Sequence, residues 1–400
     1  MIVGTAAALC GCASTPQAAV PTMEPVAAGA AIVQHVREQF YDANAAAAWA
    51  ERHRGLGADC DASTWPRTAA AALAELRASH TAYLAPDDPG NVALRAIFAA
   101  PDEPVVADSI GIDAVAIDGR WFVLHVARGS SADAMGVLRG DEIVSCNGAP
   151  FHPTRSIAGQ RAVRVALRRH EGDAPVERTL GVRRSPLRAT WLDAQRAGTR
   201  VERVGDVAVG VVPIWCGAGD EYREALEEAI RGSLRDADAL VLDLRDGYGG
   251  CSPEWARMFA PDVPTIASTD RDGRTTTYDA QWRKPLVVVI NRGTRSGKEV
   301  LARSLQRHGQ ATLVGERSAG AVLGGRLFEL PDGGVLYLAT QDVRVDGERI
   351  EGVGVPPDVA VTERVEYASG ADAMLEHAIA VAADKVRAAR DPGTLPTRTP

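Results

Sequence analysis

Apolar and polar positions along the chain fall into three successive textures. From Ala28 to His53, apolar Ile32, Val33, Val36, Phe40 and Tyr41 recur at helical spacing, and Ala45 to Ala50 continue the pattern. Thr64 as cap and Pro66 near the start open a second helix, which runs to about Arg77 and closes on Ser79-His80-Thr81. From about Asp108 to Arg184 the pattern shortens to strands and turns, such as Gly111 to Ile117 and Trp121 to Val126. From Val204 onward, apolar runs alternate with amphipathic stretches. Val207 to Ile214, Ala239 to Arg245, Leu286 to Ile290 and Ala311 to Gly315 read as strands, and Asp220 to Arg231 as a helix. The run Leu286 to Ile290 is unbroken, which suits a strand buried on both faces. This alternation predicts an α/β unit with a mostly parallel sheet and covering helices. Gly325 to Leu330 and Gly334 to Ala339 read as a hairpin, Val359 to Val361 closes the fold, and an Ala-rich helix with a polar tail ends the chain.

One strand-to-helix junction carries candidate chemistry. After Ile290, the segment Asn291-Arg-Gly-Thr-Arg-Ser-Gly-Lys-Glu299 breaks the strand and opens a helix. Ser296 therefore lies at a helix N-terminus, where amide groups and the dipole favour the negative charge that develops during acyl transfer. By itself the stretch reads first as a Ser296 or Thr294 that only caps the helix. His80 alone likewise reads as a helix-end or surface histidine.

Composition narrows the picture. A net charge of -8 argues against nucleic acid as the main partner. The lysines are Lys284, Lys298 and Lys385, so few residues could act as a lysine base. Cys60, Cys146, Cys216 and Cys251 form no CxxC or Cys/His metal spacing, and no metal or cofactor is expected. Cys216 and Cys251 both follow strands of one sheet, so a disulfide and two free thiols are both open. The start, Met1-Ile-Val-Gly-Thr-Ala-Ala-Ala-Leu-Cys-Gly-Cys-Ala-Ser, resembles a bacterial lipoprotein signal with Cys12 as the lipidated residue. That resemblance implies a lipid-anchored periplasmic or outer-membrane-associated protein, with residues 13 to 27 as a flexible tether.

Several short motifs, taken in order, resemble known families. Ala127-Arg-Gly-Ser-Ser-Ala-Asp-Ala-Met-Gly-Val-Leu-Arg-Gly-Asp-Glu-Ile-Val-Ser-Cys-Asn-Gly-Ala-Pro150 resembles a PDZ domain. Such a domain binds peptide C-termini by strand addition, and its carboxylate loop would fall at Ser109, Ile110, Gly111 and Ile112. Leu242-Asp-Leu-Arg-Asp-Gly-Tyr-Gly-Gly250, Asn291 to Glu299, Ala311-Thr-Leu-Val-Gly-Glu316 and Gly352-Val-Gly-Val-Pro-Pro-Asp358 resemble the S41 serine peptidases, the C-terminal-processing and tricorn-like proteases. The resemblance implies a crotonase/ClpP-like catalytic core with an inserted PDZ-like β domain and an N-terminal helical cap. The implied layout is signal and tether 1–27, cap 28–100, PDZ-like domain 108–186, core 200–365, and helix with tail 366–400.

Residue by residue, the resemblance makes Ser296 the nucleophile and gives the oxyanion amides to Gly297 and to Gly249 or Gly250. The processing branch uses a lysine where this chain has Ala321, and Lys298, two residues along the helix from Ser296, should face elsewhere. The tricorn-like branch uses a Ser-His-Ser-Glu tetrad, which matches Ser79, His80 and Glu351 beside Ser296. The implied function is a serine endopeptidase that cleaves unfolded or tail-bearing proteins through an acyl-enzyme. The alternatives are a non-catalytic binder of peptides or apolar ligands on the same scaffold, and a Ser-Lys dyad using Lys298. Cys251, beside the Gly-Gly turn, is a rival nucleophile.

Overall fold

The structure is a computed structural model, and it describes residues 25–100, 102–260, 264–279 and 281–391. The lipidation candidate Cys12 and most of the tail lie outside the described residues.

The centre is a six-stranded sheet in the order Val359–Ala360, Thr312–Gly315, Leu286–Ile290, Ala239–Asp243, Val207–Pro213, Arg200–Val204. The first five run parallel, and Arg200–Val204 pairs antiparallel at the edge. Alternation along each strand sends successive side chains to opposite faces. Val212, Leu240, Leu242, Val288 and Ile290 face a core with Leu226 of the Asp220–Arg231 helix and with Leu301 and Leu305 of the Gly297–Arg307 helix. Val209, Val211, Val241, Val287 and Val289 face Met374, Ala378, Ala382 and Ala383 of the Ala373–Arg390 helix. Both faces are covered, as the continuous apolar strands require. The α/β class and the helical N-terminal region agree with the sequence expectation.

A five-stranded antiparallel sheet forms a separate β-rich unit, in the order Ile112–Ile117, Arg120–Val126, Glu142–Cys146, Ala162–Arg168, Val176–Gly181. It encloses its own core of Ile110, Val123, Ile143, Val163, Val165 and Leu180. The chain enters along Val106–Ser109 and leaves along Arg183–Pro186, which pair antiparallel, so the unit hangs from one two-stranded stem. It touches the central unit where His125 stacks on Trp215, with ring centroids 5.5 Å apart. At a second junction, Tyr367 donates its hydroxyl to Glu142 Oε2 at 2.6 Å and its N–H to the Gly140 carbonyl. Gly140, with φ 88°, lies so close that a Cβ there would meet Ala368 N at 2.3 Å.

The N-terminal segment differs from expectation in detail. The helical pattern from Ala28 to His53 is two helices, Pro25–Gln39 and Ala43–Arg52. Asp42 breaks it, because its carboxylate accepts the N–H groups of Asn44 and Ala45 and starts a new helix. Thr64 makes no side-chain cap on Trp65–Ala74; its hydroxyl is tied to Asp61 instead. The three helices bury Ile32, Val36, Trp49 and Leu73 against Leu336 and Leu338 of the hairpin Gly324–Glu329 and Val335–Gln341. Asp332, in the hairpin loop, accepts Trp65 Nε1–H and Tyr83 O–H, each at 2.7 Å. Ala82–Leu84 adds a third strand by pairing with Val335–Gln341. That pairing carries the preceding residues, Ser79 and His80, alongside the hairpin and toward the central sheet. The described cysteines are all free, so Cys216 and Cys251 are not bridged. No described helix is long and apolar enough to cross a membrane.

Candidate active site

The Ser296 turn is set by its neighbours. Asn291 leaves the Leu286–Ile290 strand and accepts at Oδ1 from the N–H groups of Asp246, Gly293 and Thr294. Thr294 is fully buried, accepts the Asn291 N–H and donates to the Leu244 carbonyl at 3.1 Å, so it holds the turn and does not cap the helix. Ser296 then takes φ 58° and ψ −133°, a left-handed conformation that costs a β-carbon-bearing residue about 1–3 kcal/mol. The turn is held against that cost by two bonds from Ser296 N–H, to the Ala321 carbonyl at 2.8 Å and to Glu299 Oε2 at 3.2 Å.

Glu299, fully buried, is the hub. Its other bonds come from Ser318 Oγ at 2.6 Å, Gly320 N at 2.7 Å and Ala321 N at 2.8 Å. Burial nevertheless pushes its carboxyl above the usual range. Sequence reasoning gave this residue no role, although Ser296-Gly-Lys-Glu299 has the S-x-x-E spacing of a capping box.

The Gly249-Gly250 turn closes on the same point. A Cβ at Gly249 would sit 2.5 Å from Ser296 Cβ and 2.9 Å from Gly297 N, and one at Gly297 would sit 2.9 Å from Gly250 N. Only residues without a side chain fit there. Among the described residues, the amides of Gly249, Gly250 and Gly297 have no hydrogen-bond acceptor. They are donors held near Ser296 and open to a ligand oxygen.

Lys298, fully buried, turns elsewhere. Its ammonium donates to the Asp246 carbonyl at 2.8 Å and the Trp215 carbonyl at 3.1 Å, and burial lowers its pKa. Among the described residues it has no bond to Ser296. Cys251 is buried, which pushes its thiol up to about 12 and removes it as a thiolate at neutral pH.

Ser79, His80 and Glu351 are brought together. Glu351 accepts the Ser79 N–H at Oε1 and the Ser79 O–H at Oε2, both at 2.9 Å. Ser79 Oγ lies 2.9 Å from His80 Nδ1. The hydroxyl proton goes to the carboxylate, so Ser79 Oγ accepts from Nδ1–H and the Nε2 lone pair is left free. Nε2 has no partner among the described residues. The His80 ring meets Tyr337 edge-on at 5.0 Å. Burial, reinforced by the charge of Arg295 and opposed by Glu351, lowers the His80 pKa to about 4. Glu351 Oε2 also accepts Val322 N–H at 2.9 Å, next to the Ala321 carbonyl that holds Ser296. The tetrad candidates are thus linked through Ala321-Val322, and His80 makes no hydrogen bond to Ser296 in this state. Arg295, Tyr337 and Trp215 also border the site, and sequence reasoning singled out none of them.

The remaining candidates lie elsewhere. Ser109 ends the Val106–Ser109 stem strand, Ile110 is buried, Gly111 donates its N–H to Ser109 Oγ, and Ile112 starts the edge strand of the β-rich unit. A cavity of about 350 Å³ between that unit and the core is bordered by Leu124, His125, Arg139, Trp215 and Asp246. Ser296, His80, Ser79 and Glu351 do not line it.

A serine at a helix N-terminus, free amides beside it and a neutral imidazole with an open Nε2 are the parts that acyl transfer requires. The chain is 28% identical over 291 residues to a carboxyl-terminal-processing protease of Synechocystis sp., covering 67% of this chain and 66% of that protein. It is 30% identical over 260 residues to the chloroplastic carboxyl-terminal-processing peptidase 1 of Arabidopsis thaliana, covering 59% of this chain and 51% of that one. The chain thus spans less than two thirds of the length of either relative. Its fold is similar to the tricorn protease, with a TM-score of 0.54 and 18% identity over 90% of this chain and 36% of that one. It is also similar to mature CPAF complexed with lactacystin, with a TM-score of 0.52 and 13% identity over 90% and 98%. Residues 208–361, which hold most of the central sheet and the Ser296 turn, match Peptidase family S41.

Proposed function

We propose that this chain is a serine endopeptidase in which Ser296 is the nucleophile, His80 the general base, and Ser79 with Glu351 the groups that orient His80. The observation that carries the reading is the Glu351–Ser79–His80 relay, which fixes Nδ1–H and leaves Nε2 as the basic nitrogen. Nε2 takes the proton from Ser296 Oγ as the hydroxyl attacks the scissile carbonyl. The oxyanion forms against the Gly297 amide and that of Gly249 or Gly250. The imidazolium, its charge stabilised through Ser79 by Glu351, then protonates the leaving amine, and water releases the acyl group by the reverse sequence. A Ser-Lys dyad is disfavoured because the Lys298 ammonium is spent on two carbonyls of other loops.

The substrates on this reading are unfolded or tail-bearing proteins, and the processing of C-termini named for the relatives supports it. The β-rich unit would act as a PDZ-like receptor for such tails. Its Ile112–Ile117 strand lies at a sheet edge with one side unpaired, as strand addition requires, and Ser109 to Ile112 would receive the terminal carboxylate. Cys12 would carry a lipid that tethers the enzyme in the periplasm or at the outer membrane.

The test is fluorophosphonate labelling of the purified protein, wild type beside Ser296→Ala and His80→Ala, with and without an added peptide tail. Wild type should label and both variants should not. Labelling of Ser296→Ala at the wild-type rate would remove Ser296 as nucleophile, and no labelling under either condition would favour a binding protein.

A further inference from the structure

The His80 imidazole is held by more than its bond to Ser79. His80 has φ 53°, an uncommon conformation for a residue with a β-carbon, two positions before the Ala82–Leu84 strand. The bond between Nδ1 and Ser79 Oγ fixes one point of the ring. A ring fixed at one point is free to swing, and Nε2 swings with it.

The second contact is Tyr337. Its strand, Val335–Gln341, is the middle one of a three-stranded sheet, and Tyr337 pairs with Ala82 on one side and Leu327 on the other. Leu336 and Leu338 face the core beneath the N-terminal helices, so alternation sends Tyr337 to the opposite face, where it meets His80. The two ring centroids are 5.0 Å apart with planes at 68°, an edge-on arrangement that aromatic rings favour. Phe98, the last residue of the Pro89–Phe98 helix, also lies against Tyr337, at 5.9 Å. Arg95 of that helix pairs with Glu329 and donates to the Gly333 carbonyl at 3.3 Å, which ties the helix to the same hairpin.

Gly325 leaves the space that the Tyr337 ring occupies. A Cβ at Gly325 would lie 2.4 Å from Tyr337 Cε2 and 2.8 Å from its hydroxyl oxygen. A glycine inside a strand weakens it and marks a close approach, here of the ring to the neighbouring strand. Among the described residues the Tyr337 hydroxyl has no hydrogen-bond partner. What the fold holds in place is therefore the ring.

We propose that Tyr337 is a positioning residue for the general base, its ring fixing the imidazole of His80 about the Ser79 bond so that Nε2 is presented in one direction. The role of His80 as base rests on the serine peptidase reading; the ring contact does not. The charged groups that face the imidazole are Arg295 and, through Ser79, Glu351. Tyr337 adds no charge at neutral pH, because burial raises its hydroxyl further above the usual value. It acts on His80 by shape and by excluding water.

The test compares the full chain as wild type, Tyr337→Leu, Tyr337→Phe, Gly325→Ala and Phe98→Ala. NMR of protein with isotope-labelled histidine reads the tautomer and titration of His80, with His80→Gln to assign the signal. The same proteins are assayed for kcat and KM on a neutral peptide. Tyr337→Leu should let water reach the imidazole and raise its titration midpoint from about 4 to about 5 or higher. It should also mix the two neutral tautomers and lower kcat about tenfold with KM nearly unchanged. Tyr337→Phe keeps the ring and should restore most of what Tyr337→Leu loses. Gly325→Ala keeps the tyrosine but displaces its ring, so it should move midpoint and kcat as Tyr337→Leu does, and it carries the test if Tyr337→Leu does not fold. Phe98→Ala, at a position exposed to solvent, should act in the same direction more weakly. The proposal is overturned if tautomer and midpoint stay unchanged in Tyr337→Leu and Gly325→Ala, whatever happens to kcat. It is overturned too if KM rises with kcat preserved, which would make Tyr337 a substrate contact. A shifted midpoint in a protein that cleaves nothing would sink the peptidase reading and keep the positioning of the imidazole; an unshifted one in an active peptidase would do the reverse.

Discussion

At the scale of single residues, the most informative group is His80. Burial outweighs the neighbouring carboxylate, so its folded pKa is about 4, against about 6.5 for an unperturbed histidine. The imidazole is therefore neutral, and able to accept a proton, far into the acid range. The acid limb of kcat/KM should fall near pH 4 and not near pH 6.5, which a pH-rate profile on a neutral peptide checks directly. Glu351→Gln should lower kcat on the order of a hundredfold or more, because an amide can present the wrong partner to Ser79 and release the imidazole from its tautomer. A variant with kcat within threefold of wild type would show that the relay does not orient His80. The same shift bears on stability. Between about pH 4 and 6.5 the unfolded chain binds more protons than the folded one, so this group makes the protein less stable as pH falls through that window.

At the scale of elements, the oxyanion turn depends on what holds its two flanks. Lys298 reaches from the Gly297–Arg307 helix to the carbonyls of Trp215 and Asp246. Tyr248 N–H bonds the same Trp215 carbonyl at 2.7 Å, so one ammonium ties the helix to the start of the 246–250 segment directly and to its middle through Trp215. Lys298→Met removes the tie and leaves the Asp246 carbonyl without this donor, while the Trp215 carbonyl keeps the Tyr248 N–H, at about 1–3 kcal/mol. Its larger effect should be on the transition state: kcat lower by about tenfold or more with KM nearly unchanged, measured on the folded variant. An equal rise in KM, with kcat preserved, would mean that the amides stay in place without it. This element also shows what a sequence can and cannot disclose. Leu286 to Ile290, Val207 to Pro213 and the Gly297–Arg307 helix were legible because apolar periodicity is a local property. The candidate tetrad was legible only through short motifs, since Ser79 and Glu351 meet across the whole fold. The Trp215 carbonyl, the Ala82–Leu84 strand and the Asp42 break carried no comparable signal. A backbone carbonyl is anonymous in sequence, a short strand is fixed by the hairpin it joins, and one capping aspartate is easily read as a polar helix position.

At the scale of the whole molecule, a buried ionic knot adds to the contacts that join the units. Arg245, at the end of the Ala239–Asp243 strand, pairs with Asp243 at 2.6 Å, with Asp372 at 2.7 Å and with Glu363 at 3.1 Å. Asp372 is the N-cap of the Ala373–Arg390 helix and accepts Leu375 N–H, so the knot anchors the helix that covers one face of the sheet. Glu363 also accepts from Arg139 of the β-rich unit and, at 2.7 Å, from Asn291 beside the Ser296 turn. The same residues therefore connect sheet, covering helix, β-rich unit and candidate active site. Burial alone would raise the Asp372 carboxyl, but the hydrogen bonds and charge of Arg245 outweigh it and hold it below its usual value. A carboxyl depressed in this way stabilises the fold above its unfolded pKa, and the contribution is lost as pH falls through the folded value. Arg245→Met removes the cation and leaves its carboxylate partners uncompensated, which should cost about 3–5 kcal/mol at neutral pH. Denaturant unfolding of wild type and variant at pH 7 and again near pH 3.5 reads this directly. The gap between them should narrow at the lower pH, where protonation of the carboxylates removes their need for the guanidinium. A gap that stays constant would mean that Arg245 acts by packing alone, and one below about 1 kcal/mol at pH 7 would mean that the knot adds little to those contacts.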